Sequence, residues 1–256
     1  MTIAATDSVV PERPYPNAPI IEAVIDLHIE YPAADAIETL RKFAETISPS
    51  FPRMEPLHEI RVQIDGELDG QASKTTHAQQ TGWRLFNADG DRILVLQRVA
   101  FTYSHSAPYT RWEIFGAECE QLWRRFVDLC KPIRVTRLAA RNINLLKLPA
   151  GQIDLTDYLN IGPELPDSLG VVNGVVLQVQ IPQPSVSLRG HSTVTLASQQ
   201  SNATDHQPMI LDIDMFEEGD WSPADPVMWQ QLERLRHRKN DIFEACVTDK
   251  TRRLFA

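Results

Sequence analysis

The sequence predicts an α+β protein in which an antiparallel sheet packs against two long helices. Three observations carry that reading. Segments such as Ile20–Glu30, Ile133–Leu148 and Met209–Phe216 alternate apolar and polar residues, the period of a strand with two different faces. Trp112–Cys130 and the stretch opening at Pro226 place apolar residues at helical spacing. Ala88-Asp89-Gly90-Asp91 sits between two β-prone runs, and Asp-Gly is a strong hairpin signal.

Taken in order, residues 1–16 are Pro-rich and polar and read as a flexible arm before Asn17-Ala18-Pro19. Ile20–Glu30 follows as a strand. Ile21, Ala23, Ile25, Leu27 and Ile29 form its apolar face, while Glu22, Asp26, His28 and Glu30 lie opposite with Val24. Ala33–Ile47 has a helical stripe of Ile37, Leu40, Phe43, Ala44 and Ile47, closed by Ser48-Pro49. Glu59–Ile64 is a strand, Glu67–Thr81 a polar loop, and Trp83–Asn87 with Arg92–Phe101 a hairpin that Thr102–Ser104 extends. Trp112–Cys130 is a helix buried along Phe115, Cys119, Leu122, Trp123, Phe126 and Cys130, and it stops at Lys131-Pro132.

Ile133–Leu148 is the longest strand pattern. Strict alternation puts Val135, Arg137, Ala139, Arg141 and Ile143 on one face. A short helix at Leu155–Leu159, a loop at Gly162–Gly174, strands at Val175–Ile181 and Ser192–Ala197, a loop at Ser198–Gln207 and a strand at Met209–Phe216 come next. The last helix runs from Pro226 to about Phe255, with its stripe on Met228, Leu232, Leu235, Ile242, Phe243 and Cys246. Each half thus reads strand, helix, three strands, long helix: 17–132 and 133–256 form pseudo-repeated halves of one continuous unit.

The composition bounds the function classes. The 256 residues are 43% hydrophobic and 23% charged, an ordinary globular balance. A formal net charge of -9 argues against general nucleic-acid binding or an anionic membrane surface. Cys119, Cys130 and Cys246 lack metal-type spacing and fall in helical patterns, so buried thiols in a reducing compartment are expected. No apolar run is long enough to span a membrane, and the first residues lack the basic start and apolar stretch of a signal peptide. The expected location is the cytoplasm.

The candidate site is a set of charges on strand faces. Glu22, Asp26 and His28 come from the first strand, Arg137 and Arg141 from the central one, Asp212 and Asp214 from the last. Lys239 falls on the apolar stripe of the final helix, where it either snorkels outward or reaches a sheet carboxylate. Three readings follow: structural ion pairs, a metal site, or a pocket in which the arginines hold an anionic or zwitterionic ligand. Glu22, Asp26, His28, Asp212 and Asp214 offer ligands suited to Mg²⁺ or Mn²⁺, but their spacing fits no metal motif, so no cofactor is predicted. No phosphate-binding glycine loop, nucleophile elbow or zinc-protease motif occurs, and no catalytic residue can be assigned. The basic run from Arg234 to Lys239, with Lys250, Arg252 and Arg253, reads as a solvated helix face.

NAPIIEAVIDL at Asn17–Leu27, RVTRLAARNINLL at Arg134–Leu146, LDIDMF at Leu211–Phe216 and KNDIFEACVTDKTRRLF at Lys239–Phe255 together resemble a sporadically distributed family of uncharacterised bacterial proteins. The resemblance runs nearly the full chain. It implies a bacterial origin, brings no catalytic residues, and points to Asn17, Pro19, Glu22, Arg137, Arg141, Asn144, Asp212, Asp214, Phe243, Thr248 and Asp249 as positions to test. The triphosphate-tunnel enzymes are a weaker comparison, because their ExExK signature is replaced here by Glu22-Ala23-Val24-Ile25-Asp26. The expected function is that of a non-catalytic cytoplasmic binding or accessory protein, of the kind found in accessory or defence gene sets. It would engage a protein partner or a second copy through sheet edges and the loops at 67–81 and 198–207. The alternative is an enzyme or receptor for an anionic small molecule.

Overall fold

A computed structural model describes residues 15–32, 36–66, 72–108, 111–151, 153–164, 166, 168, 170, 174–200 and 204–256, with the backbone alone at 61–66 and 72–77. Its strands are β1 (Ile20–Glu30), β2 (Arg53–Gly66), β3 (Ala72–Phe86), β4 (Arg92–Gln97), β5 (Ala100–Ser106), β6 (Arg134–Pro149), β7 (Val176–Pro182), β8 (Gly190–Ser198) and β9 (His206–Trp221). The helices are α1 (Ala36–Thr46), α2 (Trp112–Cys130), α3 (Val227–Cys246) and the short α4 (Asp249–Arg252). The strands form one nine-stranded sheet in the order β2-β3-β4-β5-β1-β6-β9-β8-β7. Every pairing is antiparallel, so the α+β class and the antiparallel sheet read from the sequence are both present. No helix among the described residues is long and apolar enough to cross a membrane.

The alternation in β1 works as its composition dictates. Ala23, Ile25, Leu27 and Ile29 are buried on the helix side, and Asp26 and His28 project from the opposite face. The stripe of α2 is buried at every expected position. Its Trp123 and Phe126 rings pack on Phe101 of β5, and Phe115 stacks on Tyr103 at 5.3 Å. Each such side chain contributes about 2 kcal/mol relative to exposure. Lys131 ends the helix in the left-handed region at φ 50, with its N–H returned to the Val127 carbonyl, and Pro132 prevents any continuation. Helix α3 lies against β6 and β9, and α1 against β3, β4 and α2.

Several expectations are corrected. The polar segment from Ala72 to Thr81 is not a loop but the first part of β3, while residues 67–71 lie outside the described set. The span from Arg92 to Phe101 is not one strand; a reversal at Arg98-Val99 divides it into β4 and β5. Four strands therefore follow α1 instead of three, and a three-residue 3-10 turn at Leu155–Asp157 stands where the sequence predicts a short helix. The two halves do not match element for element. The loop predicted at 198–207 is shorter, because β9 starts at His206, and its residues 201–203 lie outside the described set. Helix α3 stops at Cys246, because Val247 bridges to Leu159 in extended conformation and Thr248 caps a new turn.

Of the arm, residues 1–14 lie outside the described set. Tyr15 packs edge-on against Phe255 at 5.5 Å, and its hydroxyl donates to Glu244 Oε1 at 2.7 Å. Asn17 donates its N–H to the Phe255 carbonyl at 3.1 Å, and Leu145 donates to the Pro19 carbonyl at 2.9 Å. The beginning and end of the described chain are thereby held on the central strands.

Candidate functional site

The charges of the candidate site depend on a bulge in β6. Ile29 pairs with Val135 and His28 with Arg137, so Thr136 is an extra residue on the β6 side. The β9 pairing shifts at the same place. Val135 and Leu138 consequently both enter the core, with 0% exposure each. Arg137, Ala139 and Arg141 turn to the face opposite the helices. Strict alternation groups Val135 with the arginines, and the bulge separates them.

The face away from the helices then collects Asp26 and His28 from β1, Arg137 and Arg141 from β6, and Asp212 and Asp214 from β9. Arg137 bridges three strands: Nη1 donates to Asp26 Oδ2 at 2.7 Å and Nη2 to Asp214 Oδ2 at 2.6 Å. Its guanidinium also lies over the Phe216 ring, 4.4 Å from the centroid. Asp26 receives two further contacts, from Thr102 Oγ1 at 2.6 Å and His28 Nε2 at 3.0 Å. Arg141 is forked onto Asp212, with Nε donating to Oδ1 at 2.8 Å and Nη2 to Oδ2. Glu22 shares the face and its charge acts on Arg141.

The two carboxylates on Arg137 are not equivalent. Burial pushes Asp26 up, but hydrogen bonds from His28 and Thr102 and the charges of His28 and Arg137 outweigh it and hold the carboxyl below the usual aspartate range. Burial also pushes Asp214 up. Arg137 and Arg141 oppose this, the Asp26 charge adds to it, and the net direction is upward. One guanidinium thus joins a carboxylate held ionised to one that resists ionisation. Arg141 is held charged by its hydrogen bonds to Asp212 against the cost of its burial.

Lys239 does not join this group. It is 4% exposed on the helix side of the sheet, with Nζ 5.9 Å from the centroid of the Trp112 ring. Arg236 packs over the same ring and pairs with Glu233 at 2.7 Å, and Glu233 also accepts from the Trp112 indole N–H. The apolar stripe of the helix does turn Lys239 toward the core; the sheet itself keeps it from the carboxylates. Other basic residues of the C-terminal region are engaged: Arg238 donates to Gln183, Lys250 pairs with Asp157, and Arg252 with Glu244.

Other positions singled out in the sequence build the fold. Asn144 is 2% exposed, and its Nδ2 donates to the Leu211 carbonyl at 2.9 Å. Thr248 accepts from Thr251 N and donates to the Asp157 carbonyl. Sequence reasoning missed Thr102 and the ring of Phe216 as parts of the network. Phe216 lies in the same alternating run as Asp212 and Asp214, which is the available signal; Thr102 has none, because local sequence does not separate its strand from β4.

A groove of about 480 Å³ lies elsewhere, between Tyr31, Glu59, Gln79, Gln80, Gln97 and Arg98. None of the candidate charges lines it. Among the described residues, no group of three or more His, Cys, Asp or Glu is arranged to hold a metal ion. The three cysteines are buried and form no disulfide, and burial pushes the Cys246 thiol up to about 11, which makes it a poor nucleophile. No family model matches the chain, and no curated protein matches it.

Proposed function

We propose that this chain is a non-catalytic bacterial accessory protein of the cytoplasm that binds an extended segment along the β7 edge of its sheet. The observation that carries the reading is the contrast between the two edges. β2 is defended against strand addition: it contains Pro56, shifts register between Leu57 and His58, and carries Arg53, Glu55 and Glu59. β7 shows neither a register shift nor a charged residue, and its one proline, Pro182, stands at its end. The sequence from Ser168 to Leu188 contains no charged residue, and the strand reads Val176-Leu177-Gln178-Val179-Gln180-Ile181 before Pro182. Val176 is 85% exposed there.

Backbone geometry supports the same site. Gln183 N–H donates to the Gly190 carbonyl and Ser198 N–H to the Val175 carbonyl. With the β7–β8 register, this turns the peptide groups of Leu177, Val179 and Ile181 toward β8. Those of Val176, Gln178 and Gln180 therefore face outward, away from β8 and toward no other described strand, where an added strand would pair.

The anionic-ligand alternative has less support. Arg137 and Arg141 are engaged by Asp26, Asp212 and Asp214, and Glu22 adds another negative charge to the face. An incoming anion would compete with carboxylates already in place. We also read the two halves as related in plan. β1 and β6 lie side by side, each flanked on its other side by the last strand of its own half, β5 and β9.

The test is selection of short extended peptides on the purified protein, followed by hydrogen exchange. Bound peptides are expected to protect the amides of Val176, Gln178 and Gln180, and N-methylation of alternate peptide amides is expected to abolish binding. Binders that leave those amides unprotected would remove this reading.

A further inference from the structure

We infer that the strand completing the β7 edge is β7 of a second copy, in an antiparallel pairing about a two-fold axis at Gln178. The inference rests on β7 being the working edge. It goes further by naming the partner and fixing the register.

Only residues whose peptide groups face outward can form the hydrogen-bonded pairs of a new ladder, here Val176, Gln178 and Gln180. A two-fold pairing of identical strands must match these residues with one another. Centred at Gln178, the pairing sets Gln178 against Gln178 and Val176 against Gln180 of the second copy, and every outward N–H and carbonyl of the three residues is used. A centre at Val179 would set Val176 against Pro182, which has no N–H. A centre at Leu177 would set Gln180 against Gly174, beyond the strand end. The strand is therefore self-complementary in one register.

Side chains agree with that register. Leu177 and Val179 lie on the helix side, partly buried against the core. In the pairing they become direct cross-strand neighbours of Val179 and Leu177 of the second copy, extending the apolar layer across the junction. On the opposite face the two Gln178 side chains meet at the axis. Charge gives the argument for a second copy. Two chains of net charge -9 repel one another, but β7 itself carries no charged residue, so two β7 edges can pair without placing like charges opposite each other. Contact through one short strand is at the small end of interface size, so a micromolar dissociation constant is expected.

The axis at Gln178 makes the test specific. Gln178 is exposed and its side chain donates to Thr195 Oγ1 at 3.0 Å, a single surface hydrogen bond, so Gln178→Lys and Gln178→Glu should fold. Folding is checked by circular dichroism and melting. Sedimentation velocity is run from low micromolar to a few hundred micromolar on the wild type, on each variant and on their equimolar mixture. The wild type should dimerise. Each variant alone should lose about tenfold or more in affinity, because like charges meet at the axis. The mixture should recover dimers, since the introduced ammonium and carboxylate then face each other across it.

A wild type that stays monomeric at the highest concentration overturns the pairing. If selected peptides nevertheless protect Val176, Gln178 and Gln180, the edge reading survives and only the identity of its occupant falls. A wild-type dimer that both variants leave unchanged, or that mixing does not restore, also overturns the pairing, because the contact then lies elsewhere or in another register.

Discussion

Replacing each of the two aspartates on Arg137 by asparagine should give opposite results, although both touch the same guanidinium at nearly the same distance. Asp26 accepts from Arg137 at 2.7 Å, Thr102 at 2.6 Å and His28 at 3.0 Å. In Asp26→Asn the amide nitrogen must face one of these donors, and the remaining oxygen carries no charge. Losing charge-assisted hydrogen bonds at a side chain that is 20% exposed should cost about 2 to 3 kcal/mol at neutral pH. Asp214 accepts from Arg137, lies near the Asp26 charge, and is held above the usual aspartate range. In Asp214→Asn an oxygen still accepts from Arg137, and the cost of burying a second carboxylate is removed. That variant should stay within about 1 kcal/mol of the wild type, on the stabilising side at neutral pH.

The pH dependence has opposite signs at the two positions. The folded Asp26 carboxyl is lowered, so its stabilisation is present above the unfolded value of 3.8 and is lost as pH falls through the folded value. The folded Asp214 carboxyl is raised, so its contribution is fully present below 3.8 and is lost as pH rises through the folded value. Urea denaturation of the wild type and both variants, at neutral pH and again below 3.8, reads the effect directly. The penalty of Asp26→Asn should shrink in acid, and the advantage of Asp214→Asn should disappear there. Equal destabilisation by both variants at neutral pH would refute the asymmetry argued from their donors and burial.

Three further substitutions test the fold around this network. Lys131→Gly should stabilise by about 0.5 to 1 kcal/mol, because the exposed lysine holds φ 50 at the end of α2; thermal melting reads it. Gly82→Ala should destabilise by more than about 2 kcal/mol, since a Cβ there would lie 2.0 Å from the Leu96 carbonyl oxygen in the paired strand. Its denaturation midpoint should fall accordingly. Thr248→Ala should cost about 1 kcal/mol by removing the cap of α4, with faster hydrogen exchange at Thr251 than elsewhere in the chain.

Local chemistry alone determined much of this protein. The 2.0 period of β1, the 3.6 period of α2 and the Asp89-Gly90 turn specify their elements because each rests on neighbouring residues: side-chain direction, helical spacing, and a glycine that accepts φ 76. The charged residues of the network were also legible, since Asp26, Arg137, Arg141, Asp212 and Asp214 each interrupt an apolar strand pattern. What they touch was not. The bulge at Thr136 arises from pairing with β1, beside a register shift of β9 at the same place, and it separates Arg137 from the core face that holds Val135. Lys239 is turned inward by its helix, but only the placement of α3 on the other side of the sheet decides that it meets Trp112 instead of the aspartates. The first part of β3, up to Thr81, was hidden because its polar sequence lacks an apolar face, and strand pairing with β2 defines it instead. Edges belong to the same class. A sequence can show that Val176–Ile181 is an uncharged strand, but only the order of all nine strands leaves its outer peptide groups without a neighbour in the sheet.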